Sequence, residues 1–127
     1  MTQGIIDSFT KLDTWKHSHA LVIAVFEACK KMPTYDSLRN QMERSAVSIT
    51  SNIAEGFGRQ SAQDKKHFYV MARGSAFELQ NQLLIARDTR QFSTDVFNEL
   101  ASLLLDSLRL LHGLIRSTNE KKTNVSV

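Results

Sequence analysis

The chain has 127 residues, 42% hydrophobic and 23% charged, a composition that fits one globular domain with a substantial core and excludes a low-complexity chain. Its net charge of +3 and pI near 9.2 permit a polyanionic partner without requiring one. The lone Cys29 excludes an internal disulfide, and neither a leader-like opening nor a run of 18 apolar residues occurs, so a cytoplasmic protein with no membrane partner is expected.

Residues 1–11 carry no sustained period and read as a loose N-terminal segment. A first helix starts near Asp13 or Thr14, either of which can cap it. Trp15, Val22 and Cys29 recur every seven residues, with Val25, Phe26 and Met32 beside them, as a core stripe. Pro33 stops this helix, because the residue before proline avoids the helical region and the ring clashes with the preceding turn.

Thr34 or Asp36 can cap a second helix that runs to about Glu55. It carries two stripes at steps of three and four. Leu38, Met42, Ser45, Ile49, Ile53 and Gly56 are apolar or small; Gln41, Arg44, Ser48, Asn52, Glu55 and Arg59 are polar or charged. The two lie about 110° apart around the axis, so the polar stripe flanks the core rather than opposing it. Such a flank meets another helix or another subunit. Gly56 and Gly58 bracket Phe57 and read as the left-handed turn that ends the helix. A phosphate-binding P-loop is excluded, since the pattern is incomplete and no strand precedes it.

Ser61, with Asp64 three residues on, opens a third helix that continues to about Thr89. Phe68, Ala72, Ser75, Leu79, Leu83 and Ala86 form its core stripe. Gly74 sits mid-helix at a cost of about 1 kcal/mol against alanine, and close contact with the small residues of the second helix is the expected compensation. A second stripe on this helix runs Lys66, Arg73, Phe77, Gln80, Leu84, Arg87. The fourth helix begins near Ser93 or Thr94 and carries Leu100, Leu103, Leu104, Ser107, Leu111 and Leu114. Periodicity ends past Arg116, leaving residues 12–117 as the helical domain and 118–127 as a disordered tail. Four amphipathic helices with short connections predict an all-α, antiparallel, up-down-up-down four-helix bundle.

The chemistry-bearing residues point away from catalysis. His17 and His19 project about 160° apart on a helix, and His67 and His112 lack ligand partners at suitable spacing, so no metal or other cofactor is expected. Some helical ribonucleases place an arginine shortly before a histidine. Here Arg59 precedes His67 by eight positions and Arg109 precedes His112 by three, so that motif is absent. No activated nucleophile and no small-molecule site are legible either. Two constellations remain. Gln41, Arg44, Ser48, Asn52, Glu55 and Glu78 mix both signs and read as a network fixing helix register or a subunit interface, with Arg44 and Glu55 buried. Lys66, Arg73 and Arg87, extended by Arg59 and Lys65, suit backbone phosphates, and Phe77 among them can stack a base.

Asn52-Ile53-Ala54-Glu55-Gly56 followed by Gly58-Arg59 resembles the NIAEGxGR core of the bacterial four helix bundle protein family, also known as the 23S ribosomal RNA intervening-sequence protein family. The similarity extends through Gln41, Arg44-Ser45-Ala46 and Ser48-Ile49, then Ala72, Gly74-Ser75 and Glu78-Leu79, with Phe9, Leu12, Trp15 and Pro33 upstream. Ser37, Ser45 and Arg90 depart from the family pattern, which has glycine, alanine, and glycine or a polar residue there. The resemblance implies a bundle that assembles into a ring, usually a homopentamer. Distant relatives, the accessory variability proteins of diversity-generating retroelements, partner a reverse transcriptase. The expectation is therefore a non-enzymatic oligomer that binds RNA or other nucleic acid. The alternative is a protein-interaction scaffold, or an accessory subunit of a nucleic-acid enzyme, that does not itself touch nucleic acid.

Overall fold

Proline and side-chain caps cut this chain into helices, and the cuts lie close to where the sequence puts them. The computed structural model describes residues 8–126, with side-chain detail for residues 8–120. A 3-10 turn, Phe9–Lys11, precedes α1 (Asp13–Cys29), α2 (Ser37–Phe57), α3 (Ala62–Asp88) and α4 (Thr94–Ser126). No strand occurs among the described residues. Asp36 accepts the Arg39 backbone N–H at 3.0 Å, Ser61 that of Asp64 at 3.1 Å, and Ser93 that of Val96 at 3.2 Å. Each cap satisfies one of the donors that a helix start leaves without an intrahelical partner. α1 departs from this pattern: its N-cap is Leu12, and the Thr14 hydroxyl instead donates to Leu110 O on α4 at 3.5 Å.

The four helices form a four-helix bundle in which α2–α3 is the most extensive contact, and α1 packs on α2 and α4. The core is one cluster drawn from all four: Leu21 and Val25, Ile49 and Ile53, Leu79 and Leu83, Leu104 and Leu111 among others. The heptad of α1 sits slightly differently from the expected stripe. Leu21, Val25 and Cys29 are fully buried, Trp15 and Val22 pack at the edge, and Phe26 is exposed. Two helix pairs, α1–α4 and α2–α3, each show two cross-contacts. Ser18 Oγ meets Ser107 Oγ at 2.6 Å where Thr14 meets Leu110, and Ser48 Oγ meets Ser75 Oγ at 2.7 Å where Gly56 meets Tyr69.

At Gly56, α2 and α3 approach closely. A Cβ there would stand 2.7 Å from a Tyr69 ring carbon and 3.0 Å from Phe68 Cβ. The expected left-handed glycine turn is absent: no described glycine has positive φ, and Gly58 sits at φ −77°. Gly56 is conformationally ordinary and sterically indispensable. The left-handed position is instead Arg90, at φ 61°, just past α3. There the Gln91 N–H reaches Ala86 O at 2.8 Å and the Arg90 N–H reaches Arg87 O at 3.0 Å, the paired bonds of a Schellman ending.

Three further expectations are corrected. A Cβ on Gly74 would meet nothing within 4 Å, so Ser75, not Gly74, makes the close contact with α2. The tail does not lose helical structure at residue 118: α4 continues to Ser126, and Thr118, 6% exposed, donates its hydroxyl to Leu114 O at 2.9 Å. Of the expected loose segment 1–11, residues 1–7 lie outside the described residues. Phe9 is not loose, since its ring packs on Trp15 at 5.5 Å between centroids.

Two substitutions test these assignments. Gly56→Ala should destabilise by about 1–3 kcal/mol, the usual cost of overpacking, because the new methyl would press on both the buried Tyr69 ring and the Phe68 Cβ, which is fixed to its backbone. An unchanged melting temperature would mean that the helices stand further apart. Arg90→Gly should stabilise by up to about 1 kcal/mol, relieving a left-handed side chain against the extra freedom that glycine gives the unfolded state. A fall in melting temperature would count against the left-handed ending.

Candidate nucleic-acid interface

The α2–α3 turn gathers three of the six residues predicted to contact nucleic acid. Arg59 Nη2 reaches Glu55 Oε2 at 3.2 Å, and its guanidinium lies 4.5 Å from the Phe68 ring centroid. Both members of that ion pair are about half exposed, so the pair contributes little to stability, on the order of 1 kcal/mol or less. Lys65 has a different role from the one predicted. Its ammonium donates to Phe57 O at 2.6 Å and to Gly56 O at 3.5 Å, and stands 5.3 Å from the Phe57 ring centroid. A cation on the last carbonyls of α2 satisfies acceptors that the helix end leaves bare and complements its dipole. Lys65 therefore works as a helix cap.

Lys66 and Arg73 are half-buried along the outer side of α3, and neither forms an ion pair with a described residue. Phe77, one turn beyond Arg73, is 49% exposed. Arg87 is set apart. It lies 21 residues, or about 30 Å of helix, from Lys66. Its Nε donates to Asp88 Oδ1 at 2.9 Å, its guanidinium covers the Phe97 ring at 5.2 Å, and the Asp88 hydrogen bond moves its pKa further up. The predicted stripe is thus one line on the surface but not one site. Its N-terminal half presents two cations outside any ion pair among the described residues, Lys66 and Arg73, and a ring, whereas Arg59 and Arg87 are each held by a carboxylate and an aromatic face.

Behind the turn lies a cavity of about 400 Å³, bounded by Leu12, Phe57, Gln60, Tyr69, Ser117 and Thr118 among others. Burial pushes the Tyr69 phenol up from its ordinary pKa of 10, so it stays protonated. No feature of any single helix period announced this cavity, because four chain segments contribute to it.

The predicted polar network is only partly assembled. Ser48 bonds Ser75, and Asn52 Nδ2 donates to Ser48 O at 2.9 Å and to Ser48 Oγ at 3.2 Å. Gln41 turns to Ser37 Oγ at 3.1 Å. Arg44, Glu55 and Glu78 are exposed, which corrects the expectation that Arg44 and Glu55 are buried. Long charged side chains at the flank of a core face reach water by extending along the surface. The enclosed ion pair is one that the sequence reading missed. Arg39 Nε meets Glu43 Oε2 at 3.3 Å, both side chains are 16% exposed, and Arg39 Nη1 also bonds Met32 O. Its only sequence signal was opposite charge at four-residue spacing on one helix. Burial, with Glu43 nearby, pushes the Cys29 thiol up to about 11, leaving an unreactive structural sulfur. Among the described residues no three His, Cys, Asp or Glu gather to hold a metal ion, and no helix is long and apolar enough to cross a membrane.

An all-α four-helix scaffold with a basic, aromatic-punctuated edge defines a class of small helical-bundle proteins. Within that class the chain belongs to the 23S rRNA-intervening sequence protein family, whose model matches residues 10–113. It is similar in fold to a crystal structure of a protein of unknown function from the S23 ribosomal protein family of Bacteroides thetaiotaomicron. That likeness has a TM-score of 0.74 at 19% identity, covering 80% of this chain and 97% of the other. No curated protein matches the chain.

Because Arg44 is exposed and in no ion pair with a described residue, Arg44→Ala should change the stability of the single chain by no more than about 0.5 kcal/mol. Chemical denaturation at low protein concentration measures this. A loss of several kcal/mol would place Arg44 in a buried network.

Proposed function

We propose that this protein is a non-enzymatic, self-assembling bundle of the cytoplasm that binds RNA, with a basic face on each subunit. The observation that carries this reading is the line from Arg59 through Lys66 and Arg73 to Phe77. Its cations suit phosphates, and its half-exposed ring suits a base. The family's description, which ties it to an intervening sequence of 23S rRNA, makes RNA the favoured polyanion over DNA. The absence of a recognisable base-reading module fits binding that is electrostatic and tolerant of sequence.

The proposed architecture is antiparallel and up-down-up-down, closing into a ring, most simply a homopentamer. The opposed numbering of the Ser18–Ser107 and Ser48–Ser75 contacts supports the antiparallel arrangement. Apolar side chains left in water support assembly. Leu84 and Leu105, the latter 57% exposed, flank a shallow groove between α3 and α4 floored by Leu83 and Leu104. A second reading, a protein-interaction scaffold or accessory subunit, is favoured by a larger groove between α1 and α4. It has a volume of about 770 Å³ and is lined by Ile23, Phe92, Val96 and Leu103.

Filter binding of mixed-sequence single-stranded RNA across a salt series, with light scattering on the same preparation, tests the proposal. Log affinity should fall linearly with log salt, with a slope of about −0.7 per phosphate contacted. The mass should be several times 14.4 kDa. Charge reversal of Lys66 and Arg73 together should weaken binding to all sequences alike and leave the mass unchanged. Salt-insensitive binding, or binding untouched by that double variant, would favour the scaffold reading. A 14.4 kDa species at micromolar concentration would remove the ring.

A further inference from the structure

The cavity behind the α2–α3 turn differs in chemistry from the other grooves of the bundle. Two aromatic residues, Phe57 and Tyr69, line it together with the aliphatic Leu12 and Leu114. Its polar groups are few: the Gln60 carboxamide, the Lys65 ammonium, and the hydroxyls of Ser117 and Thr118. Tyr69 is only 3% exposed as a residue and forms part of the cavity wall. Its phenol can donate to an acceptor that enters the cavity from outside the chain.

Size, walls and surroundings together select the occupant. A volume of about 400 Å³ lies within the range of small-ligand pockets, roughly 300–1,000 Å³. Apolar and aromatic walls suit a flat ring system rather than a naked anion, which would be stripped of water there with little return. A carboxamide both donates and accepts, so Gln60 can meet the mixed edge of a heteroaromatic ring, and the Tyr69 phenol can donate to a ring nitrogen or carbonyl. Cations stand beside the cavity. Arg59 immediately precedes Gln60 in the turn, and Lys66 immediately follows Lys65 on α3, so negative charge attached to such a ring can remain at the surface.

We infer that this cavity receives one unstacked base of a single-stranded RNA whose phosphates run along Arg59, Lys66 and Arg73. The inference rests on the RNA-binding reading and deepens it, because it makes the recognised strand unpaired at the α2–α3 turn. Splaying a base out of a single strand and holding it by aromatic contact is a general mode of RNA recognition, and it is closed to a base held within a duplex.

The test uses the full chain and short single-stranded RNAs, either intact or bearing one abasic site at successive positions, together with free nucleoside monophosphates. Ser117→Phe fills the cavity from α4, and Gln60→Ala removes the carboxamide from an exposed turn position where folding is not at risk. An abasic site at the seated position should weaken binding about tenfold, the scale of one base–aromatic contact. Ser117→Phe should weaken intact RNA by the same factor and abolish the difference between intact and abasic strands. The salt slope should not move, since no phosphate contact is lost. Gln60→Ala should give a smaller loss in the same direction. Monophosphates should shift the Tyr69 and Gln60 resonances of the wild-type protein but not those of Ser117→Phe. RNA binding that is salt-dependent yet indifferent to abasic sites and to both variants overturns the base pocket and leaves the RNA reading standing. No RNA binding, with the monophosphate shifts present, overturns the RNA reading and leaves a nucleotide site. Neither signal overturns both.

Discussion

The approach of α3 to Gly56 is the constraint on which the rest of this molecule turns. With a Tyr69 ring carbon 2.7 Å from where a Cβ would be, α2 and α3 meet at a distance at which any larger residue would force α3 to shift. Consequences follow along both helices. The α2–α3 turn stays tight enough for Lys65 to reach back and cap the last carbonyls of α2, with Arg59 folded over Phe68. Tyr69, turned inward by the same contact, becomes one wall of the end cavity. Further along, Ser48 and Ser75 lie close enough to exchange a hydrogen bond at 2.7 Å, and Ala72 and Ala76 are fully buried. Small side chains give up apolar area but allow dense packing of backbone against backbone, and packing density is what a folded interior requires.

Charge is sorted by this geometry rather than by composition. The +3 of the whole chain says little, because its cations do different work. Arg39 is held by Glu43 and Met32 O at the start of α2, and Lys65 by the carbonyls that end it. Arg87 is held by Asp88 and the Phe97 ring, and Arg59 by Glu55 and the Phe68 ring. Cations already bonded to protein acceptors must give up those bonds to grip a phosphate, so each is a poorer binder than its charge implies. Lys66 and Arg73 face no such competition among the described residues, and Phe77 stands beside them half exposed. The surface suited to a polyanion is therefore shorter than the sequence stripe and lies at the α2–α3 end of the bundle.

Much of the fold was legible because its signals are local. Pro33 and the caps Asp36, Ser61 and Ser93 act through their own turns, and the core stripes of α2 to α4 follow the helical period except at Phe68, which lies under Arg59 while its neighbour Tyr69 is buried. What escaped has a common origin: period gives an angle around a helix, not the depth of the neighbour there. Gly56 and Gly58 read as a turn because glycine so often ends helices, yet the demand on Gly56 comes from a ring thirteen residues away. Arg90 took the left-handed position without a glycine to announce it. Arg44 and Glu55 lie at an angle where a short side chain would be half covered, and theirs are long enough to leave. The candidate site divides the same way. The line of cations and Phe77 could be read from spacing, but the tether on Lys65 and the cavity behind it are made by segments that meet only in the folded chain.

Gly74 and the exposed apolar residues of α3 have no counterpart within the described chain. A mid-helix glycine costs about 1 kcal/mol against alanine, and here nothing in the chain occupies the space that its missing Cβ opens. On α3, Met71, Gly74, Glu78 and Ile85 follow one line at helical steps, and Met71 and Ile85 are each more than two-fifths exposed. Arg44 and Glu55 are likewise exposed on α2, the helix most extensively packed against α3. Exposed apolar residues, with a glycine that admits a close backbone, are unfavourable in water and reasonable against another surface. In the proposed ring, the same features would become complementary parts of a contact. In that proposed ring, the polar flank of α2 would keep the interface role expected of it, met by a second copy rather than by the chain's own helices, and the basic end around Arg59 and Lys66 would stay open to RNA.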